Sequence, residues 1–324
     1  MARDLDPQKL DVVNVLCAPL STLYFLGWSA YESLYRIGAK KPMDPAIPVI
    51  VVGNLTVGGM GKTPTTLAVC RLLKDIGYQA VISASGYGSP RAEAATIAPD
   101  GPLLASEWGD EPTLLRWLAP EFPIIVGRRR TLAAKLCAEH FPNAVMVMDD
   151  GYQHKPLRHH ISIILDLEEV SNPLVLPAGP YREPRSHRTR ADFLLPSYFK
   201  LMHHGTRFLN TEGQEIEFPP QDIQVLTAIA KPSRLVRTLD SLGFRTIRAR
   251  HYPDHDKLTR DDLFSQFERT LPIVVTSKDW VKIRERHDLD GWDFEIAHYQ
   301  VTVEPYEEFK RALADKVAGV ILKK

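Results

Sequence analysis

The stretch from Ile47 to Thr63 reads IPVIVVGNLTVGGMGKT. Its opening, Ile47 to Val52, is a short run of apolar, mostly β-branched residues, the composition of a parallel strand buried on both faces. The second half, Thr56, Val57, Gly58, Gly59, Met60, Gly61, Lys62 and Thr63, follows the phosphate-loop pattern GxxxxGK[ST], except that Thr56 stands where a glycine is usual. The glycines let successive backbone N–H groups curl inward, and the helix that follows offers its positive end. Lys62 then places an ammonium on the β- and γ-phosphates of a nucleotide, and Thr63 supplies a hydroxyl to magnesium. Turn chemistry alone can produce a glycine-rich strand-to-helix loop; the GKT triplet between a strand and a helix selects nucleotide binding.

Outward from this loop, apolar positions at Leu67, Val69, Leu72, Leu73 and Ile76 predict a helix over Thr65 to Ile76 that stops at Gly77. Further strands are expected at Ala80 to Ser83, Pro123 to Val126, Ala144 to Met148 and Ile161 to Leu165, with helices between several of them. That alternation predicts an α/β fold, a P-loop kinase-like, mostly parallel sheet. A polar stretch ending in Pro219 and Pro220 then reads as a linker. A second series follows: strands at Val225 to Ala230, Arg245 to Ala249 and Ile273 to Thr276, helices at Arg234 to Leu242, near Thr259 to Glu268, and at Pro305 to Val317. A length of 324 residues suggests two domains. The expected division is 1–198 for the P-loop domain, 199–222 for the linker and 223–324 for a smaller α/β domain, whose last helix is placed to pack back on the first.

Forty basic and forty acidic residues leave a formal charge of zero, so nothing in the total draws the chain to nucleic acid. Cys17, Cys70 and Cys137 are far apart and form no CxxC pair, against a disulfide framework or a structural zinc site; a reducing compartment fits. Val12 to Tyr31 carries no charge, but Asn14, Pro19 and Gly27 interrupt it as a membrane span, and Asp4, Asp6 and Asp11 argue against a secretion signal. The segment reads as a core helix or as one lying in the membrane interface.

A P-loop enzyme needs a carboxylate at the carboxyl end of a neighbouring strand. VMVMDD places Asp149 and Asp150 there, as candidate magnesium ligands with Thr63. Phosphoryl transfer also needs a group to take the acceptor's proton. Asp110 and Glu111 in GDEP, and Asp254 and His255 in PDHD, are candidates, each weak alone. Arginines cluster at Arg128 to Arg130 and at Arg182, Arg185, Arg188 and Arg190, where solvated charge is the default reading.

NLTVGGMGKTP (Asn54 to Pro64), GDEP, DDGYQH (Asp149 to His154), LPAGPYREP (Leu176 to Pro184) and PDHD together resemble the tetraacyldisaccharide 4′-kinase family of lipid A biosynthesis, over nearly the whole chain. The resemblance implies transfer of the ATP γ-phosphate, with Mg2+, to a tetraacylated glucosamine disaccharide 1-phosphate. It implies a peripheral protein at the cytoplasmic face of the bacterial inner membrane, and it favours the interfacial reading of the N-terminal helix. It assigns Asp110 as general base and His255 as its partner, arriving from the other domain on closure, with Lys62 at the phosphates. It places Tyr87, Glu111, Arg130, Gln153, His154, Arg182 and Glu183 at the nucleotide, phosphate or substrate. Three departures stand out: Ser85 replaces the arginine of SRGYG, Tyr152 the leucine of DGLQH, and Ser277 the glutamate of TEKD. The competing reading is a nucleotide-switch protein of the GTPase or metallochaperone type. The chain lacks an NKxD segment for guanine, and SKDW (Ser277 to Trp280) is only a distant echo. A third reading, a membrane adaptor with a decayed loop, is opposed by the intact Lys62, Thr63 and Asp149.

Overall fold

Val49–Asn54 forms β1, and all six of its residues are buried. The structure, a computed structural model, describes residues 12–322; the acids Asp4, Asp6 and Asp11 lie outside them. In chain order the elements are α1 (Val12–Arg36), β1, α2 (Lys62–Asp75), β2 (Ala80–Ala84), β3 (Thr96–Ile97), α3 (Ala105–Trp108), α4 (Asp110–Leu118), β4 (Ile124–Val126), α5 (Arg130–His140), β5 (Val145–Asp149) and β6 (Ile161–Leu165). They continue with β7 (Phe193–Leu195), β8 (Lys200–Leu209), β9 (Glu215–Ile216), β10 (Asp222–Thr227), α6 (Pro232–Ser241), β11 (Arg245–His251), β12 (Ile273–Thr276), α7 (Ser277–Ile283), β13 (Phe294–Glu304) and α8 (Tyr306–Ile321). The chain divides into two compact units. The first runs to Ser83, resumes over Arg129–Met202 and closes with the segment from Val303; the second comprises Ala84–Arg128 and His203–Thr302.

In the first unit the strands lie in the order β2-β5-β1-β6-β7, all pairings parallel. Parallel strands covered on both faces need apolar side chains in both directions, which explains the unbroken burial of β1, β5 and β6. The register sets Val52 opposite Asp149, so β5 delivers its terminal acid beside the end of β1, where the glycine-rich loop begins. Leu67, Val69, Leu72 and Leu73 of α2 and Ala133, Ala134 and Cys137 of α5 are buried. α8 belongs to this unit: Phe309 meets Phe193 and Phe199, each at 5.1 Å between ring centroids, and Lys316 donates to Asp192 at 2.7 Å.

α1 has two unlike faces. Along one, the buried Ser21 hydroxyl donates to the Val175 carbonyl at 2.9 Å and accepts from Ala178 N at 2.8 Å, and the Tyr24 hydroxyl donates to the Arg182 carbonyl at 2.6 Å. Glu32 continues that face with ion pairs to Lys155 and Arg190. The other exposes Val12, Leu16, Leu20, Leu23 and Leu26, spaced three or four apart as one side of a helix requires. Among the described residues no helix is long and apolar enough to cross a membrane.

The second unit is built on the sheet β11-β10-β12-β13-β8-β9, in which β10 pairs in parallel with β11 and β12, β12 in parallel with β13, and β8 antiparallel to β9. Period-two alternation sorts its core: Ile223, Val225 and Val274 pack with Leu235, Leu239 and Phe244 on one face, and Leu226, Ile273 and Val275 with Phe264, Trp280 and Ile296 on the other. Trp117 and Leu118 of α4 pack against the second cluster. β8 and β9 occupy much of 199–222, the stretch expected as a linker. The helix expected near Thr259 to Glu268 is instead a run of turns closed by three-residue bonds such as Leu263 N to Arg260 O and Phe267 N to Phe264 O. Arg250 binds the Asp262 and Leu263 carbonyls at 2.5 and 2.9 Å, taking acceptors that a helix would need for its own ladder.

Candidate active site

The loop after β1 turns on glycines that a side chain would strain. Gly58 sits at φ 102° and Gly61, at the head of α2, at φ 82°. The LPAGPYREP segment forms its wall: Val57 N donates to the Pro180 carbonyl at 2.8 Å, Arg182 N to Leu55 at 2.7 Å, and Thr56 bridges to Tyr181. Lys62 Nζ lies 3.3 Å from Asn54 Oδ1 and 3.4 Å from Asp150 Oδ2. One turn of α2 presents two hydroxyls to one acid: Thr63 donates to Asp149 Oδ2 at 3.1 Å and Thr66 to Asp149 Oδ1 at 2.9 Å.

Arg130, almost wholly buried, binds the Asp149 carbonyl at 2.6 Å and Ser83 Oγ at 3.2 Å, so it braces the end of β5. Asp150 follows in the left-handed region at φ 48°, turned toward Arg182 at 3.0 Å. Gln153 donates to Glu183 at 2.8 Å and to the Asn54 carbonyl at 3.0 Å, and Glu183, fully buried, also meets His187 Nδ1 at 3.0 Å. Burial, reinforced by the Arg130 guanidinium, pushes His154 down to about 4, which keeps its imidazole neutral near pH 7. Tyr152 packs under Gly53, where a Cβ would come within 2.8 Å of its own, and burial pushes its phenol up to about 12. The larger ring of this departure is therefore matched by a glycine on β1.

The remaining predicted residues belong to the second unit. Asp110 opens α4, and its carboxylate stands 3.6 Å from His255 Nδ1, within ion-pair range but long for a hydrogen bond. His255 holds a left-handed conformation at φ 65°, in a turn closed by Asp256 N to Pro253 O at 3.0 Å. The expected arrival of His255 on domain closure is corrected here: Ala84–Arg128 folds with the second unit, so both residues sit in one compact body. They line a cavity of about 510 Å³ with Tyr87, Glu111, Lys257 and Arg286. Ser85, in place of the usual arginine, donates to Glu111 at 3.3 Å.

A family model described as LpxK, tetraacyldisaccharide-1-P 4′-kinase, matches residues 13–318. The chain belongs to this family. It is 32% identical over 319 residues to the tetraacyldisaccharide 4′-kinase of Shewanella woodyi, covering 95% of this chain and 91% of that protein. To the protein of the same name from Aromatoleum aromaticum it is 32% identical over 302 residues, covering 87% and 88%. The crystal structure of LpxK from Aquifex aeolicus in complex with ATP superposes with TM-score 0.81 at 25% identity, covering 94% of this chain and all of that one.

Sequence reasoning assigned no role to several residues that shape this member of the 4′-kinase family. Asn54 accepts from Lys62, and Thr66 shares Asp149 with Thr63; the i, i+3 spacing on α2 was the signal available for Thr66. Asp166, buried, gathers Tyr181, Arg185 and Arg188 at 3.0 Å each and so anchors LPAGPYREP. Lys278 touches both Asp254 and His255, at 3.2 and 3.3 Å.

Proposed function

We propose that this protein transfers the γ-phosphate of ATP to the 4′-hydroxyl of tetraacyldisaccharide 1-phosphate in lipid A biosynthesis. The observation that carries the reading is the convergence of Lys62, Thr63 and Thr66 on Asp149 and Asp150 at the mouth of the glycine loop, in a chain of the 4′-kinase family. The inward-curled amides and Lys62 bind the β- and γ-phosphates. Asp110 accepts the proton of the attacking hydroxyl as its oxygen bonds to the γ-phosphorus and the bond to the ADP oxygen breaks. His255 orients Asp110. Arg130, Gln153, His154, Arg182 and Glu183 hold the phosphate-facing surface of the first unit in shape, and Tyr87 and Glu111 border Asp110. The nucleotide-switch reading is not favoured, because it gives no role to Asp110 and His255.

The Thr63 hydroxyl and the Asp149 carboxylate, 3.1 Å apart with Asp150 adjacent, form the hard-oxygen donor set that suits Mg2+. Bound there, the ion would neutralise charge on the phosphates. A substrate with four acyl chains is held in the bilayer by about 0.8 kcal/mol per buried CH2, so the enzyme must work at the membrane surface. The exposed leucine stripe of α1 supports a peripheral seat there, on the cytoplasmic face, where ATP is available. Purified protein in detergent with labelled ATP, Mg2+ and the disaccharide lipid should yield labelled lipid; GTP hydrolysis without lipid labelling would refute the assignment.

A further inference from the structure

α7 presents Lys278 and Lys282, four residues apart and so on one face, to the turn that carries His255. Lys282 Nζ donates to the Asp256 carbonyl at 2.8 Å; Lys278 Nζ donates to Asp254 Oδ1 at 3.2 Å and approaches His255 Nε2 to 3.3 Å. The helix behind them is firmly set. Thr276 and Asp279 form a capping box, and buried Asp279 accepts from Thr227 at 2.6 Å and from Ala228 N at 2.9 Å.

An ammonium has three protons to donate and no lone pair to offer. A hydrogen on His255 Nε2 would therefore point at another donor, whereas a bare Nε2 accepts from it. Asp254 Oδ2, 3.8 Å from Nε2, is the acceptor that could favour the opposite form, but Lys278 already compensates its charge. In a neutral ring this geometry favours the proton on Nδ1, the nitrogen that faces Asp110 Oδ2 at 3.6 Å.

We infer that Lys278 is a positioning residue that holds His255 as the neutral Nδ1–H tautomer, directed at Asp110. This rests on the proposed role of Asp110 as base and adds how its partner is kept in one state. An imidazolium beside Asp110 would lower the carboxylate's basicity; a neutral N–H orients it at far smaller cost. The arrangement follows the general logic in which a third group sets the tautomer of a functional histidine.

The test is long-range proton–nitrogen NMR on the full chain in detergent with ¹⁵N-labelled histidine, His255 being identified by the signal missing in His255→Gln. Wild type should show a pyrrole-type Nδ1 and a pyridine-type Nε2. Lys278→Met, which can neither donate nor accept, should shift His255 toward the Nε2–H form, and Lys278→Arg should restore it. With folding checked by nucleotide binding, Lys278→Met should lower kcat about tenfold or more, with KM for ATP within about twofold, as expected for loss of an effect confined to proton transfer. An Nε2–H tautomer in wild type, or an unchanged tautomer in folded Lys278→Met, overturns the inference. A tautomer that responds while kcat does not leaves the role of Lys278 standing and removes the catalytic role of the Asp110–His255 pair. Assays of Asp110→Asn and His255→Gln check that role independently.

Discussion

Lys62 and Asp149 are the side chains on which the proposed nucleotide site chiefly rests. With Thr56 in place of the usual first glycine, the loop takes its positive φ angles at Gly58 and Gly61. Lys62→Ala removes the only lysine of the loop, and Asp149→Ala leaves Thr63 and Thr66 without their shared acceptor. Each should abolish lipid phosphorylation, measured as labelled lipid, and measurable transfer in either would refute its role. Asp110→Asn keeps the shape of the side chain but takes away its ability to accept a proton. It should reduce kcat by about 10² to 10⁴, the range for loss of a general base, while ATP affinity measured by calorimetry stays nearly constant; a collapse of that affinity would show that Asp110 serves the nucleotide instead. At this scale residue type and motif spacing in the sequence name the candidate groups. The partners of Asp149 and His255 were not legible there, because Thr66 and Lys278 are ordinary residues until a helix turns them toward those groups.

Among the elements, β1 and α1 stand at opposite ends of legibility. β1 was plain, since a β-branched run entering a glycine loop has one economical fold. α1 was ambiguous because its sequence suits core and membrane alike; in the structure the helix divides by face, with Ser21 and Tyr24 bonded to the protein and the leucines exposed. The triple substitution of Leu16, Leu20 and Leu23 by Gln should therefore weaken sedimentation with anionic vesicles at least about tenfold, since several buried side chains at ~1.5–3 kcal/mol each are lost, while ATP binding in solution is retained. Unchanged vesicle binding would mean that this stripe does not face lipid. The false helix near Thr259 to Glu268 shows the converse: apolar residues at Leu263, Phe264 and Phe267 fill the core from turns, because Arg250 claims the carbonyls.

Across the whole molecule, half-buried histidines tie stability to pH. His154 and His159 are both pushed down to about 4, chiefly by burial, with Arg130 acting on the first and Lys155 on the second. Between that value and the ordinary 6.5 the unfolded chain binds protons that the folded chain does not, so stability is full above 6.5 and falls as the pH drops toward 4. His154→Asn and His159→Asn should each flatten the fall in Tm across this window, and a slope equal to wild type in both would show that neither residue carries it. By itself the sequence determined the alternating α/β pattern, the phosphate loop and the acids at the strand end, because strand periodicity, glycine geometry and the spacing of charged groups act within a few residues of chain. Only the tertiary structure decided that Ala84–Arg128 folds with His203–Thr302 and so brings Asp110 to His255 within one body. Contacts between residues about 145 apart along the chain cost loop-closure entropy that only the packing of the complete core repays, and local pattern carries no record of it.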